Sequence, residues 1–528
     1  MSLAHLPRPW RWVVIVLFAL ALLALLGQFI VYCHYAASLF RFPFDYDQGE
    51  GFELYDTVLH AQGQWPYRDS QVFPFYTSIY PPLFHIITVP LIWIFGPELW
   101  TGRLIGFLAS LIAATAIGWG VYRASGNRVI AAFSGLTFLA SNYTFHIGPL
   151  FRQHMTMVMF EVLAIVALAG PHPPSPSPDA EPRVGRGGVL SYPSGIWIGL
   201  IFLLAAGYTK QLALATALAG LAFLFLRGPR RALLAGAGLA VVAGGIFIWI
   251  NYATHGWWYV SLIKANLNAF SQAQALSLYR QWTELHWVII ALALGRLVYE
   301  IYFSRLSAYA IWFAFALGNG ALSGKFGAGE SYFVTVTAAA CVLSGIALAQ
   351  LWKHSAEWKV QGAIALAIII PLLYLVQTRL TLHLYTAGPI YTTVARALGV
   401  NSESGYYDSQ GYTQLGPRPT GADHEAGYAI SELAHNADGP VFSEEAGFMF
   451  KAGKPVVTNA FPQLVMYQAG LFDPTQEIEM INRKAFGLVI LRAQFYPPPV
   501  LAALGANYQP RTEIMMNGFL YRILEPRP

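Results

Sequence analysis

The chain has 528 residues, 56% of them apolar and only 11% charged, with a positive mean hydropathy. That composition lies outside the soluble range and leaves room for about ten apolar spans of ~20 residues plus a further domain, so it describes a polytopic membrane protein. The net charge of +5 does not indicate a nucleic-acid partner, because Lys and Arg sit in short connections between apolar runs; two cysteines, Cys33 and Cys341, give neither a disulfide framework nor a metal-ligand spacing.

After a basic head with Arg8 and Arg11, the run Trp12–Tyr32 predicts a first membrane helix with its N-terminus inside. It exceeds the core of a signal peptide, and only a weak small-residue site at Ala36 and Ala37 follows, so it reads as a retained helix. Its exit delivers a first outer loop, residues 34–96, rich in Tyr, Phe, Gln and Pro. At the head of that loop stands Phe44-Asp45-Tyr46-Asp47-Gln48-Gly49-Glu50-Gly51, with three carboxylates within six residues. Acids placed where a membrane helix meets water are costly to hold near hydrocarbon and point to function. The following stretch, 81–95, is apolar but short and contains Pro90, which predicts an interfacial or re-entrant helix rather than a crossing.

The runs that follow are 103–122, 129–147, 154–170, 195–208, 211–226, 231–253, 285–303, 306–322, 331–351 and 360–376, which with the first helix make eleven spans. This count places the basic connections around Arg123 and Arg128, Arg183 and Arg186, Arg227 to Arg231, Arg305, and Lys353 to Lys359 on the inner face, as the positive-inside rule requires. Counting 81–95 as a crossing would turn them all outside. The Pro-rich stretch 171–194 cannot bury enough apolar surface to fold and reads as a disordered inner loop. No repeat of fixed period stands out.

From about Gln377 Gly, Asp, Glu and Pro rise. Strand-like runs at Gly439–Ser443, Lys454–Thr458, Phe486–Arg492 and Gly518–Leu524 alternate with helical spacing over 426–437 and 473–485, while Asn401–Glu425 shows no clear period and reads as loop. The fold class expected is therefore a mainly α membrane protein of about eleven transmembrane helices with interfacial helices in the first outer loop, plus a small C-terminal outer α/β domain. Residues 1–376 form the membrane part and 377–528 the outer part. The chain is expected in the plasma (inner) membrane, with a cytoplasmic N-terminus.

With this topology Asp45, Asp47 and Glu50, then Arg152 and His154, then Lys210 and Gln211, then Lys325, Glu330 and Tyr332 all fall toward one membrane face. Charged groups at that depth gather around cavities and substrate paths. Each has an ordinary structural alternative: Asp47 and Glu50 as helix caps, Arg152 as an interfacial anchor, His154 as a hydrogen-bonded core residue, Lys210 as a snorkelling cation, and Lys325 with Glu330 as part of a Gly-rich turn. Glu444-Glu445 likewise reads either as an acceptor contact or as a strand-to-loop turn. Carboxylates beside several cations suit glycosyl transfer from a lipid-phosphate sugar, in which Lys and Arg hold the phosphate and a carboxylate takes the acceptor proton.

The ordered set Asp47-Gln48-Gly49-Glu50, Gly63-Gln64-Trp65-Pro66-Tyr67-Arg68-Asp69, Tyr80-Pro81-Pro82-Leu83, Phe95-Gly96 and Arg103-Leu104 resembles the front end of the GT-C superfamily of polytopic membrane glycosyltransferases, which includes the protein O-mannosyltransferases and the aminoarabinose transferase of lipid A. Lys210-Gln211 and Gly324 to Tyr332 are similar to later motifs of its bacterial mannosyltransferase-like members. The resemblance covers about residues 10–350. It implies Asp47 as catalytic base, Glu50 as a second acid, and outer-loop helices lying on the membrane. The chain departs from the pattern at Arg152-Gln153-His154-Met155, where relatives often carry Arg-x-Asp-Met, which places a second acid's role on His154 or Glu50.

The expected function is an inverting hexosyl- or pentosyltransferase that uses a polyprenyl-phosphate sugar donor and a glycan, lipid or protein acceptor. Asp47 and Glu50 are its catalytic residues; Tyr80, Arg152, His154, Lys210, Gln211, Lys325, Glu330 and Tyr332 are its substrate-binding residues. No cofactor and no metal ligand is assigned, and a divalent metal stays open. Two rivals have distinct signatures. A transporter or lipid-linked-sugar flippase needs charges at mid-membrane and broken helices in paired halves, whereas a non-catalytic glycan-binding protein has no use for a buried acid.

Overall fold

The computed structural model describes residues 6–170, 194–381 and 418–528, with isolated positions between 393 and 415. The Pro-rich stretch expected as a disordered inner loop and most of 401–417 lie outside the described residues. Chain order begins with α1 (Arg8–Phe40), the outer-loop helices α2 (Glu50–Ala61) and α3 (Leu83–Phe95), then α4 (Leu99–Ser125), α5 (Arg128–Ala140), α6 (Asn142–Ile147) and α7 (His154–Leu168). It continues with α8 (Ser194–Thr209), α9 (Leu214–Arg227), α10 (Pro229–Ala253), α11 (Trp257–Leu262), α12 (Gln272–Phe303), α13 (Ala308–Asn319), α14 (Val334–His354) and α15 (Val360–Thr381).

Among the described residues, six helical stretches, those of α1, α4, α10, α12, α14 and α15, are long and apolar enough to cross a membrane. Those of α5, α7, α8 and α9 are shorter apolar helices. The α3 helix has 13 residues and an internal Pro90; at 1.5 Å per residue it reaches about 20 Å, short of the ~30 Å hydrocarbon core. The bundle is built around α14, whose Ala-, Val- and Thr-rich span is 94% buried and packs against α4, α5, α12 and α13. Small side chains let neighbouring backbones approach closely, which is what packs helices when no water drives them together. By contrast the span of α10 is 11% buried and turns its Leu, Val and Ile residues outward.

Three boundaries differ from the sequence expectation. The first helix runs two turns past Tyr32 to Phe40, because Tyr35, Ala36 and Leu39 are buried in the bundle, so the loop expected from residue 34 starts at Arg41. The run 129–147 breaks at Ser141, which is extended at φ −61° and ψ 134° and pairs its hydroxyl with His286 Nε2 at 2.9 Å. The helix expected over 285–303 begins at Gln272, capped by the Ser271 side chain accepting from the Gln274 N–H.

After α15 come a two-residue antiparallel pair, β1 (Tyr406–Tyr407) with β2 (Gln414–Leu415), and then a four-stranded mixed sheet of β3 (Val441–Ser443), β4 (Leu488–Leu491), β5 (Tyr508–Met516) and β6 (Phe519–Pro526). Its order is β3-β4-β6-β5, with β3 and β4 parallel and the other pairs antiparallel. Helices at Gly421–His435 and Thr475–Asn482 match the two expected helical segments, although the first begins inside the stretch read as loop, at a Thr420–Asp423 capping box. Lys454–Thr458 is not a strand: Pro455 lacks an N–H, and a single bridge from Thr458 to Phe75 of the outer loop is all that forms. The unexpected strand β5 pairs with β6 through a hairpin whose Asn517-Gly518 turn has φ of 52° and 75°.

Candidate functional site

The site starts from Arg103, a fully buried guanidinium on α4. It donates from Nη1 to the carbonyls of Leu39 (2.6 Å) and Phe42 (2.5 Å), and from Nη2 to that of Phe44 (2.7 Å). Its Nε and Nη2 reach both oxygens of Glu50 at 3.0 and 2.7 Å. Glu50, the first residue of α2, also accepts from the backbone N–H groups of Tyr46 (3.0 Å), Asp47 (3.2 Å) and Phe151 (2.7 Å). Burial opposes its ionisation, but Arg103 and these donors win and hold its carboxyl below the usual range. Glu50 thereby fixes the backbone of Asp47 and of the residue just before Arg152. It does not line the cavity described next.

That cavity, of roughly 440 Å³, opens where α2, the α6–α7 connection, the α8–α9 break, the α13–α14 connection and the C-terminal region meet. Nine of the residues named from sequence line it: Asp47, Tyr80, Arg152, His154, Lys210, Gln211, Lys325, Glu330 and Tyr332. Arg152 Nε meets Asp47 Oδ2 at 2.5 Å, its Nη1 meets Glu53 Oε1 at 3.2 Å, and its Nη2 donates to the Gln48 carbonyl. This guanidinium lies over Gly49, whose φ of 98° suits glycine and where a Cβ would come within 3.1 Å of Nη2. Lys210 stands in the break between α8 and α9, 2.5 Å from His154 Nε2, with the rings of Tyr80 and Tyr332 centred 5.2 and 5.7 Å from its Nζ. Gln211 donates to the Ile79 carbonyl at 3.2 Å. Lys325, half-buried on the Gly-rich connection, and Glu330 with Tyr332 complete the far wall.

Sequence reading stopped the acidic cluster at Glu50, but the helix carries it on. Glu53 and Asp56 follow at successive three-residue steps, the spacing that keeps residues on one helix face, and both are buried on the cavity wall. Burial pushes the Glu53 carboxyl up to about 7 against the pull of Arg152 and Gln153, and the Asp56 carboxyl up to about 8. Asp45 plays another part: Oδ1 accepts from the Gly51 N–H at 2.6 Å and Oδ2 from the Gly447 N–H at 2.8 Å, joining the outer loop to the C-terminal region.

The C-terminal region roofs the cavity with Glu444, Asn459, Phe461 and Phe495. Glu444 accepts from the N–H groups of Arg492, Gln494 and Phe495 at 2.6 to 2.9 Å, and Glu445 pairs with Arg492 (2.5 Å) and the Tyr521 hydroxyl (2.9 Å). Both carboxylates therefore stabilise the turn that shapes the roof.

No protein-family model matches the chain, and no curated protein matches it. Among solved structures, ArnT from Cupriavidus metallidurans bound to undecaprenyl phosphate is similar over 96% of this chain and 98% of its own, at 15% identity and a TM-score of 0.57. The oligosaccharyltransferase of Archaeoglobus fulgidus in its apo form is similar over 92% of this chain and 73% of its own, at 13% identity and a TM-score of 0.50. Likeness at this identity speaks to the fold alone, which the chain shares with both structures over more than nine-tenths of its length.

Proposed function

We propose that the chain is a GT-C enzyme, an inverting glycosyltransferase which moves a sugar from a polyprenyl-phosphate donor to an acceptor on the outer face of the membrane. The observation that carries the reading is the pairing, within one cavity, of the Asp47–Arg152 contact with the aromatic cage around Lys210. In this reading all eleven predicted spans cross the membrane, residues 1–376 are the membrane domain, and 377–528 form an outer-face domain that closes the cavity. The undecaprenyl phosphate held by the similar ArnT structure supports a donor of that chemistry.

Asp47 accepts the proton of the acceptor nucleophile as that atom attacks the anomeric carbon. The bond from that carbon to the phosphate oxygen breaks, the configuration inverts, and the lipid phosphate leaves with the electron pair. Lys210 and Lys325 hold the leaving phosphate. Arg152 is the lesser phosphate ligand, since its Nε, Nη1 and Nη2 are already directed at Asp47, Glu53 and the Gln48 carbonyl; its main task is to aim Asp47. Glu50 positions Asp47 through the Asp47 N–H and touches no substrate. Tyr80 and Tyr332 present ring faces for the sugar, while His154, Gln211 and Glu330 line its place in the cavity.

The reading is tested by mass spectrometry of lipid co-purified with the protein, together with transfer assays on Asp47→Asn. A polyprenyl phosphate or its glycoside in the wild type, retained by an inactive Asp47→Asn variant, is the expected result. Full turnover in that variant rejects Asp47 as the base, and a different class of bound lipid rejects the donor.

A further inference from the structure

Beside the Arg152 contact, three side chains of metal-ligand type converge on the wall between α2 and α3: Glu53 and Asp56, three residues apart on α2, and His85 on α3. All three are buried, and one ligand atom from each lies within 4.8 Å of the other two. The Thr57 hydroxyl donates to the Glu53 carbonyl at 2.8 Å, so its oxygen is left to accept from His85 Nδ1, 3.1 Å away. That puts the imidazole proton on Nδ1 and a bare lone pair on Nε2. Nε2 has no hydrogen-bond partner and faces Glu53 Oε2 at 3.4 Å and Asp56 Oδ2 at 3.8 Å.

Electron-rich atoms facing one another in a buried space are unfavourable unless a cation or a proton stands between them. The carboxylates are already held by hydrogen bonds, which reach the facing oxygens Glu53 Oε2 and Asp56 Oδ2 as well as the other two and leave each a further lone pair. Asp56 accepts from the Tyr76 hydroxyl at 2.6 Å and the Ser78 hydroxyl at 2.5 Å, and Glu53 accepts from Arg152 and Gln153. Ligands held by outer hydrogen bonds, with the histidine tautomer set by its other nitrogen, are what a metal site requires. A tetrahedral zinc with bonds of about 2.0–2.1 Å has ligand-to-ligand edges of about 3.3–3.4 Å; the Nε2–Oε2 pair stands at 3.4 Å, and Asp56 Oδ2, at 3.8 Å from Nε2, closes in by a few tenths of an ångström on binding.

We propose that Glu53, Asp56 and His85 bind one divalent transition-metal ion, zinc by its donor set of one imidazole and two carboxylates, with its fourth position open to the cavity that Glu53, Asp56 and Ser78 line. The ion ties α2 to α3 and neutralises the acids whose burial pushes their carboxyls up toward neutrality. It is distinct from any ion that Asp47 would hold, and the proposal stands independently of the glycosyl-transfer reading.

The test uses the full chain in detergent, stripped with a chelator, dialysed against micromolar zinc and measured by inductively coupled plasma mass spectrometry and thermal unfolding. About one equivalent of zinc and a zinc-dependent rise in Tm are expected for the wild type. His85→Ala and Asp56→Asn lose both, while Asp47→Asn keeps both. Should His85→Ala fail to fold, Thr57→Val serves instead: it leaves every ligand in place but frees the tautomer, and weakens zinc binding by roughly 10- to 100-fold. A wild type that takes up no zinc overturns the proposal and leaves protons as the bridging charge. So does zinc that survives His85→Ala, or that is lost with Asp47→Asn.

Discussion

Arg152 Nε sits 2.5 Å from Asp47 Oδ2, joining a residue just after the first membrane helix to one just before α7, 105 positions later in the chain. The contact aims the carboxylate and leaves its surroundings open to the cavity, with the two side chains 19% and 16% exposed. If Asp47 is the base, Asp47→Asn lowers transfer by about 10²- to 10⁴-fold, the usual weight of general-base assistance. Arg152→Lys keeps the charge but not the forked geometry that spans Asp47 and Glu53. Turnover in that variant is expected to fall while co-purified lipid stays near wild type; lipid loss with turnover intact would return Arg152 to the phosphate.

Glu50→Gln tests a positioning residue. A glutamine offers one acceptor oxygen and turns an amide N–H₂ toward Arg103 or toward the N–H groups of Tyr46, Asp47 and Phe151. Breaking a buried pair by neutralising one partner costs about 3–5 kcal/mol, because the other charge stays buried. A large drop in the unfolding midpoint should accompany the loss of transfer, and a supplied lipid donor should not restore it. Loss of turnover in a variant as stable as the wild type would instead make Glu50 part of the chemistry.

Lys210→Ala removes the cation caged by Tyr80, Tyr332 and His154. A charge-assisted hydrogen bond contributes about 1.5–3 kcal/mol, so affinity for undecaprenyl phosphate is expected to fall roughly 10- to 150-fold in a titration followed by intrinsic fluorescence. Lys210→Arg is a poor replacement, since the cage fits a compact ammonium better than a planar fork. Unchanged lipid affinity in the alanine variant would remove Lys210 from the donor site.

Asp45 ties stability to pH. Burial, reinforced by the nearby Glu445 charge, pushes its carboxyl up to about 8, whereas an unfolded Asp titrates near 3.9. The native state therefore holds a proton that the unfolded state has lost, so this contribution is complete below about pH 4 and declines until about pH 8. In Asp45→Asn that share of the slope disappears. The variant is also weaker at low pH, by about 1–3 kcal/mol, because its amide N–H₂ must face the N–H of Gly51 or of Gly447. Unfolding midpoints measured from pH 5 to pH 8.5 should fall more steeply with pH for the wild type than for Asp45→Asn; parallel curves would show that Asp45 stays ionised throughout.

Much of the fold was legible because membrane burial imposes a length rule that a single stretch obeys by itself. Each expected run from α4 to α15 has a helix at its centre, and the 13 residues of α3 are as short as Pro90 and the apolar count suggested. What failed was local. Tyr35 and Leu39 extend α1 because they find partners in the bundle, and Ser141 breaks a run that hydropathy reads as continuous. The β5–β6 hairpin carries a readable signal, Asn517-Gly518 between strand-forming residues, although β5 itself holds no continuous apolar run.

The site divides in the same way. Asp47 stood out in sequence because a carboxylate expected at a membrane boundary is costly wherever the rest of the chain goes, and residues from four distant segments, expected on one face, do line one cavity. Which of them touch was not. Arg103 reads as one position of a motif with no role attached until its guanidinium is seen to satisfy three carbonyls and Glu50 together. His85 reads as one polar residue on an apolar helix until α2 brings Glu53 and Asp56 against it. Composition and apolar length settle a membrane fold, since each helix answers to the bilayer separately. The partner of a given charge depends on contacts between residues 30 to 400 positions apart, and only the packed chain decides those.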